Sequence, residues 1–362
     1  GKYVIVRGLS DRYNNMTLNG SNLPSADPNR KSVQLDQFPT GLLDVIETTK
    51  TFTPDKSGEF TGGSIDIQTK AFPDQSFYNA SIGFSYNENT TDKPFLTYPG
   101  GSRDWLGKDD GARELPESLK DAGNLSQLTN EEQSVILNDL SPVISPQLID
   151  EAPLNQSFSF AFGDSIMLSK DGDRRLGYMA SITHSRSFKS RRNAPERRYQ
   201  FDRGVDGSVL VPRYDISVDE SENNVNLGGL FNISLQLSSD SEIGLKNFYN
   251  QSGSDESIMQ TGANFSSEDL FLRESRIHFT ERSIQSNQLY GKHMVTGLGD
   301  ATFEWDYSKT KSAQSEPDYV LFFDGLDLDD FEAVGGDFDA LDPSDWKFPT
   351  GFTNRRLYRD LE

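Results

Sequence analysis

The 362-residue chain has no cysteine, only three histidines and no long apolar run. Without cysteine, disulfides, thiolate metal sites and cysteine nucleophiles are all removed at once. His184, His278 and His293 stand too far apart for the familiar ligand spacings of zinc, and each reads as an ordinary strand or turn residue. No segment approaches the roughly 20 apolar residues of a spanning helix, which excludes a helical membrane protein. Positive charge is scarce: 35 Lys and Arg against 56 Asp and Glu leave a net charge of −21. That is the wrong sign for neutralising phosphates, so no nucleic-acid partner is expected. Serines lie near no histidine pattern, and the carboxylates show no acid and base spacing. Neither an enzyme nor a cofactor is expected. Apolar residues are also few, 34% of the chain with a mean hydropathy of −0.63, which is lean for a water-soluble core.

What the chain does have is alternation. Tyr78, Ala80, Ile82, Phe84 and Tyr86 fall on one face of a strand, with Asn79, Ser81, Gly83 and Ser85 on the other. The same period of two marks a half-buried soluble strand. It also suits a wall between lipid and an aqueous interior, which needs apolar residues only at alternate positions and so reconciles the lean composition. Further runs follow at Phe158, Phe160 and Phe162, at Leu176, Tyr178, Ala180 and Ile182, from Val225 to Leu237, and at Ala301, Phe303, Trp305 and Tyr307, with weaker ones at 243–252 and 276–290. Short polar turns near 169–175, 238–242 and 291–299 alternate with long polar stretches at 88–154, 189–223, 253–275 and 314–352, which read as loops gathered at one end. A membrane barrel with tight turns on one side and large loops on the other has this rhythm, and a soluble sandwich has no reason for it.

Residues 1–71 read differently, as a small mixed unit. Val4-Ile5-Val6 and Met16-Thr17-Leu18 suggest short strands, Asn19-Gly20 a tight turn, residues 21–31 a proline-bearing loop, Thr40 to Ile46 a short helix running into a strand, and Ser64 to Thr69 a closing strand. Residues 72–362 then form the sheet region. Gly1 begins inside an apolar run and Glu362 follows no terminating pattern, so the chain reads as an internal piece.

The order of blocks in the first unit carries a resemblance. Val4-Ile5-Val6-Arg7-Gly8-Leu9 is followed by Arg12-Tyr13, Thr17-Leu18-Asn19-Gly20, Leu42-Leu43, Ile46-Glu47-Thr48-Thr49-Lys50 and Gly62-Gly63-Ser64-Ile65-Asp66-Ile67-Gln68-Thr69-Lys70. This resembles the plug of TonB-dependent outer-membrane receptors, and Lys50 to Asp55 is similar to the Bacteroidetes-type branch. The resemblance implies a mainly β protein: a 22-stranded transmembrane antiparallel β-barrel with a small mixed α/β plug in its lumen, of which this chain holds the later plug and about seven or eight strands. It implies a bacterial outer-membrane location, active import of an external ligand such as a siderophore, glycan or peptide, and energising by the TonB-ExbB-ExbD complex. Lipopolysaccharide and a surface lipoprotein are further partners to expect. The alternative is a receptor-like barrel acting as a structural or assembly subunit of a larger outer-membrane complex.

Site residues follow from the resemblance. Plug arginines in the family pair with barrel-wall carboxylates, so Arg7 and Arg12 are expected in ion pairs, either with a wall beyond Glu362 or within the plug. The loop at 21–31 corresponds to one that meets ligand, with Asn22, Asp27, Asn29 and Arg30 as candidates, Asn14 and Asn15 behind them, and a solvated loop as the other reading. The acidic segment from Asp324 to Asp345 lacks the glycine and terminal glutamate of an EF-hand loop and reads as a solvated loop. The basic patch of Lys189, Arg191, Arg192, Arg197, Arg198 and Arg203 has three readings: lipopolysaccharide phosphates, acidic loops nearby, or plain solvation.

Overall fold

The computed structural model describes residues 3–27, 30–38, 40–53, 62–69, 75–114, 117–121, 128–129, 131–132, 146–170, 173–202, 209–265, 270–295, 301–327 and 354–355. The chain is mainly β. Strands β1 (Asn14–Leu18), β2 (Ser21–Asn22), β3 (Leu43–Thr49) and β4 (Gly63–Thr69) make a four-stranded N-terminal sheet in the order β2-β1-β4-β3. Asn19 and Gly20 adopt left-handed φ of 50° and 81°, as a two-residue hairpin requires, and the Gly20 N–H and the Thr17 hydroxyl both donate to Asp66 Oδ1. Gly62 and Gly63 lie where side chains do not fit: a Cβ on Gly63 would come within 2.9 Å of Val6, and one on Gly62 would enter the Asn14 side chain. Val4-Ile5-Val6, expected as a strand, instead enters a turn closed by a single bridge from Val6 to Leu9. The expected helix at Thr40 is one 3-10 turn, Thr40–Leu42.

The remaining strands are β5 (Phe77–Ser85), β6 (Phe95–Thr97), β7 (Gln147–Ile149), β8 (Asn155–Met167), β9 (Arg175–Asp202), β10 (Val209–Ser238), β11 (Ser241–Asn264), β12 (Leu270–Val295), β13 (Ala301–Asp327) and β14 (Asn354–Arg355). Eight of them form one antiparallel meander in the order β14-β13-β12-β11-β10-β9-β8-β5, while β6 and β7 pair with each other. Within the described residues the sheet is open, with β5 and β14 at its edges.

The two faces of this sheet are of opposite character. Met179, Ser181, Thr183, Leu230, Asn232, Phe248, Asn250, Ile284, Ser286 and Gln288 share one face and are buried. The N-terminal unit sits on it: Val6, Met16, Leu18, Leu42, Ile65 and Ile67 join Met179, Leu230, Phe248 and Ile284 in one core. Phe38 stacks on Phe248 at 5.5 Å, and Gln288 Nε2 donates to Asn19 O at 3.1 Å and to Ser21 Oγ at 3.2 Å. The other face carries Tyr78, Ile82, Phe84, Phe158, Phe160, Ile182, Phe231, Leu289, Phe303 and Tyr307, all exposed. A water-soluble sheet buries its apolar face. Here the face rich in Asn, Ser and Gln is covered and the apolar face is bare.

The stretches 189–223 and 253–275, expected as loops, are largely strand. β9 runs to Asp202 and β10 starts at Val209, and β11 and β12 approach each other to Asn264 and Leu270. The backbone ladder continues through these extensions, and charge pairs line them where apolar alternation is missing. Arg191 meets Glu220 at 2.9 Å, Arg197 meets Asp215 at 2.9 Å and Arg192 meets Asp219 at 3.3 Å, and an apolar cluster of Ile216, Val218 and Ile258 fills the covered-face side. The stretch 314–352 also begins as strand, up to Asp327; its residues 328–352, and with them most of the acidic segment, lie outside the described residues. Within 88–154, β6 and β7 form a short hairpin and residues 95–113 fold onto the open face of β9 to β12.

Candidate functional site

Above the N-terminal unit, the covered face of the sheet continues as a polar wall. A cavity of about 210 Å³ lies between Gln34 and this wall, lined by Ser185, Ser187 and Lys189 of β9, Asn224 and Asn226 of β10, Ser252 and Ser254 of β11 and Arg282 of β12. Alternation put these residues together: the parity that points Leu227 and Phe231 outward points Asn224 and Asn226 inward. Gln34 is fixed by donating to the Tyr3 hydroxyl at 2.9 Å, and Arg282 Nε donates to Gln314 Oε1 at 2.8 Å. Lys189 is 3.9 Å from Glu222, a loose pair. Hydroxyls, amides and two cations in one recess suit a hydrophilic ligand with several acceptors.

Further along the same face His278 Nε2 lies 3.0 Å from Glu316 Oε2, and Arg276 lies 3.4 Å from Glu256. The hydrogen bond with His278 holds the Glu316 carboxyl below the usual carboxylate range. Among the described residues no group of three His, Asp or Glu forms a metal site. His293 does touch a serine, Ser241 Oγ at 2.7 Å, yet its Nε2 accepts from the Trp305 indole N–H at 3.1 Å. A neutral imidazole in that tautomer carries its proton on Nδ1 and donates to Ser241, so it cannot serve that serine as a base.

The residues singled out by the sequence fall in several places. Asn22 is exposed at the end of β2. Arg30 Nη1 pairs with buried Asp11 at 3.0 Å while its guanidinium lies 4.7 Å over the Tyr3 ring, and the Tyr3 hydroxyl donates to Asp27 at 3.4 Å. Asp27 and Arg30 therefore hold the unit's own fold. Asn29 lies outside the described residues. Asn14 and Asn15 are buried inside β1. Arg7, with φ of 56°, and Arg12 are exposed and make no ion pair among the described residues. The basic patch of Lys189 to Arg198 is met by acids of its own hairpin, which supports the acidic-neighbour reading over lipopolysaccharide; Arg203 lies outside the described residues.

One arrangement had no signal in the sequence. Segment 95–113 docks through a glycine pair, Gly107 on Gly253, where a Cβ on either would collide with the other's backbone. Gln251 Nε2 donates to Gly107 O at 2.8 Å. Beneath it Arg113, 3% exposed, is bound by Asp104 at 2.6 Å and Asp109 at 2.9 Å and lies 3.9 Å over the Phe279 ring. Asp255 is buried beside them, and burial pushes its carboxyl up to about 7 although Arg113 pulls the other way.

No family model matches the chain, and no curated protein matches it. Among solved structures it is similar to the outer membrane transporter YddB from Escherichia coli, at 12% identity and a TM-score of 0.24, over 89% of this chain and 48% of that one. The chain thus spans about half the length of that transporter, and the overlap is looser than a shared fold requires.

Proposed function

We propose that this chain is part of a TonB-dependent outer-membrane receptor of Bacteroidetes type, that residues 1–71 are the later part of its plug, and that the full protein imports an external hydrophilic ligand. The observation that carries the reading is the bare apolar face. Register runs unbroken from Ile82 of β5 through Phe158, His184, Leu227, Gln251 and Ser283 to Ala313 of β13. On β13, however, the apolar band centres on Trp305, between Phe303 and Tyr307, eight residues from Ala313. The band therefore slides about 27 Å along the strands while crossing six strand spacings, about 29 Å. It is straight only if the strands lean about 45° to it, which is the lean of strands in a membrane barrel.

Strands of 24–30 residues, as in β9 to β13, exceed the roughly 9–11 that cross a bilayer, so their outer halves stand in the external medium. The covered polar face is the lumen wall, and the cavity at Gln34 is the first ligand contact above the plug. Arg7 and Arg12, free of partners in the described residues, face the part of the barrel that follows this chain. The protein is not an enzyme in this reading. Its partners are the TonB-ExbB-ExbD complex, outer-membrane lipid and, through the tall hairpins, a surface lipoprotein. Those hairpins also suit the second reading, a subunit of a larger outer-membrane complex. Deleting the TonB-contacting segment from the full gene separates the two. Import predicts that uptake of the co-purifying ligand, identified by mass spectrometry, stops while the barrel still assembles; unchanged uptake, or a defect independent of ligand, overturns it.

A further inference from the structure

We propose that Lys309 and Lys311 clamp the phosphate of an anionic lipid headgroup at the external edge of the apolar band, a site that rests on the membrane reading above. Both lysines lie on the open face of β13, exposed, immediately beyond Phe303, Trp305 and Tyr307 of the same face. On the β12 side their neighbours in register are neutral: Lys309 faces Asn287 and Lys311 faces Gln285. Among the described residues neither makes an ion pair. On the tall hairpins, by contrast, Lys189, Arg191, Arg192 and Arg197 each have a carboxylate across the hairpin.

Position fits the chemistry. The turn between β12 and β13 is at the short-connection end, so passing from Ala301 to Lys311 leads outward through the bilayer. With the band centred on Trp305 and about 25 Å tall, strands leaning about 45° change depth by about 2.4 Å per residue, so the external edge crosses β13 about five residues on, between Lys309 and Lys311. Two residues apart on one face of a strand, the ammonium-bearing stems start about 7 Å from each other, a spacing at which both reach one phosphate group. Acyl chains would lie on Phe303, Trp305 and Tyr307, and the lysine stems reach outward from the edge of the band to the headgroup. One amphiphile thus satisfies the aromatic run and the lysine pair together. A soluble anion would use only the lysines.

The test uses the full-length protein in detergent, incubated separately with bis-phosphorylated lipid A, phosphatidylglycerol and phosphatidylcholine, with bound lipid counted by native mass spectrometry. The wild type is expected to retain the phosphate-bearing anionic lipids. Lys309→Gln with Lys311→Gln should lower that retention at least fivefold and leave phosphatidylcholine retention unchanged, and arginine at both positions should restore it. Loss for lipid A alone, or for both anionic lipids, supports the clamp and reports which source it prefers. Wild-type retention by the glutamine variant, or an equal loss of phosphatidylcholine, overturns it. Liposome flotation of the wild type keeps the two readings apart: a protein that floats but binds lipid independently of the lysines loses this site and keeps its membrane assignment, while one that does not float loses both.

Discussion

At the scale of single residues, the docked segment shows how burial decides a protonation state. Asp104, Asp109 and Asp255 surround one guanidinium, Arg113, whose bonds go to the first two. The third carboxyl is left in a low-dielectric site with acidic company, so it holds its proton up to about pH 7. The linkage has a definite sign. A carboxyl whose folded pKa lies above its unfolded value binds protons on folding, so stability is present in full below about pH 4 and declines as pH rises toward 7. Three pKa units correspond to at most about 4 kcal/mol, and local relaxation lowers that. Residues 95–113 are therefore expected to resist proteolysis better at pH 5 than at pH 8. Asp255→Asn, which keeps the shape without the ionisation, should erase the difference and protect the segment at pH 8. A wild type equally protected at both pH values would show that Asp255 is not the controlling group.

At the scale of elements, alternation was the legible part. The strands from Tyr78, Phe158, Leu176, Val225 and Ala301 stand where their apolar parity places them, because successive side chains of a strand point to opposite faces. The extensions of β9 to β12 were illegible for a physical reason. Apart from a few inward apolar residues such as Ile216, Val218 and Ile258, both faces carry polar and charged side chains, with pairs across the hairpin such as Arg191 with Glu220, which leaves no period in the sequence. The tie between the N-terminal unit and the wall was equally hidden. Arg7 and Arg12 suggested ion pairs, yet the described contacts are of other kinds: Phe38 stacks on Phe248, Gln288 donates to Asn19 and Ser21, and the Ser21 hydroxyl donates to the Asp306 carboxylate. Phe248→Ala should cost about 3–5 kcal/mol of this docking, seen as early proteolytic loss of residues 1–71 from a protein that still inserts in liposomes. Retention of the unit at wild-type rates would place its anchorage elsewhere.

At the scale of the whole molecule, the band's slope makes a prediction that no soluble arrangement shares. If the sheet stands in a bilayer with its strands leaning about 45°, residues joined by hydrogen-bond register do not lie at one depth. Ile82 and Ala313 belong to one register row spanning six strand spacings, about 29 Å, so their depths differ by about 20 Å. Ile82 and Trp305, which are out of register, share a depth. The chain has no cysteine of its own, so single cysteines at 82, 305 and 313 can each carry a nitroxide or an environment-sensitive dye in the full-length protein in liposomes. Labels at 82 and 305 should be quenched alike by mid-bilayer quenchers, and the label at 313 should answer to water-soluble ones. The neighbouring position Thr183, on the covered face, should answer to neither lipid quencher, whereas Ile182 should be quenched strongly. Equal depths for 82 and 313 would mean a sheet lying square to its apolar boundary. Water-soluble quenching at 82, 182 and 305 together would mean that the bare apolar face meets water, and the membrane assignment would fall with it.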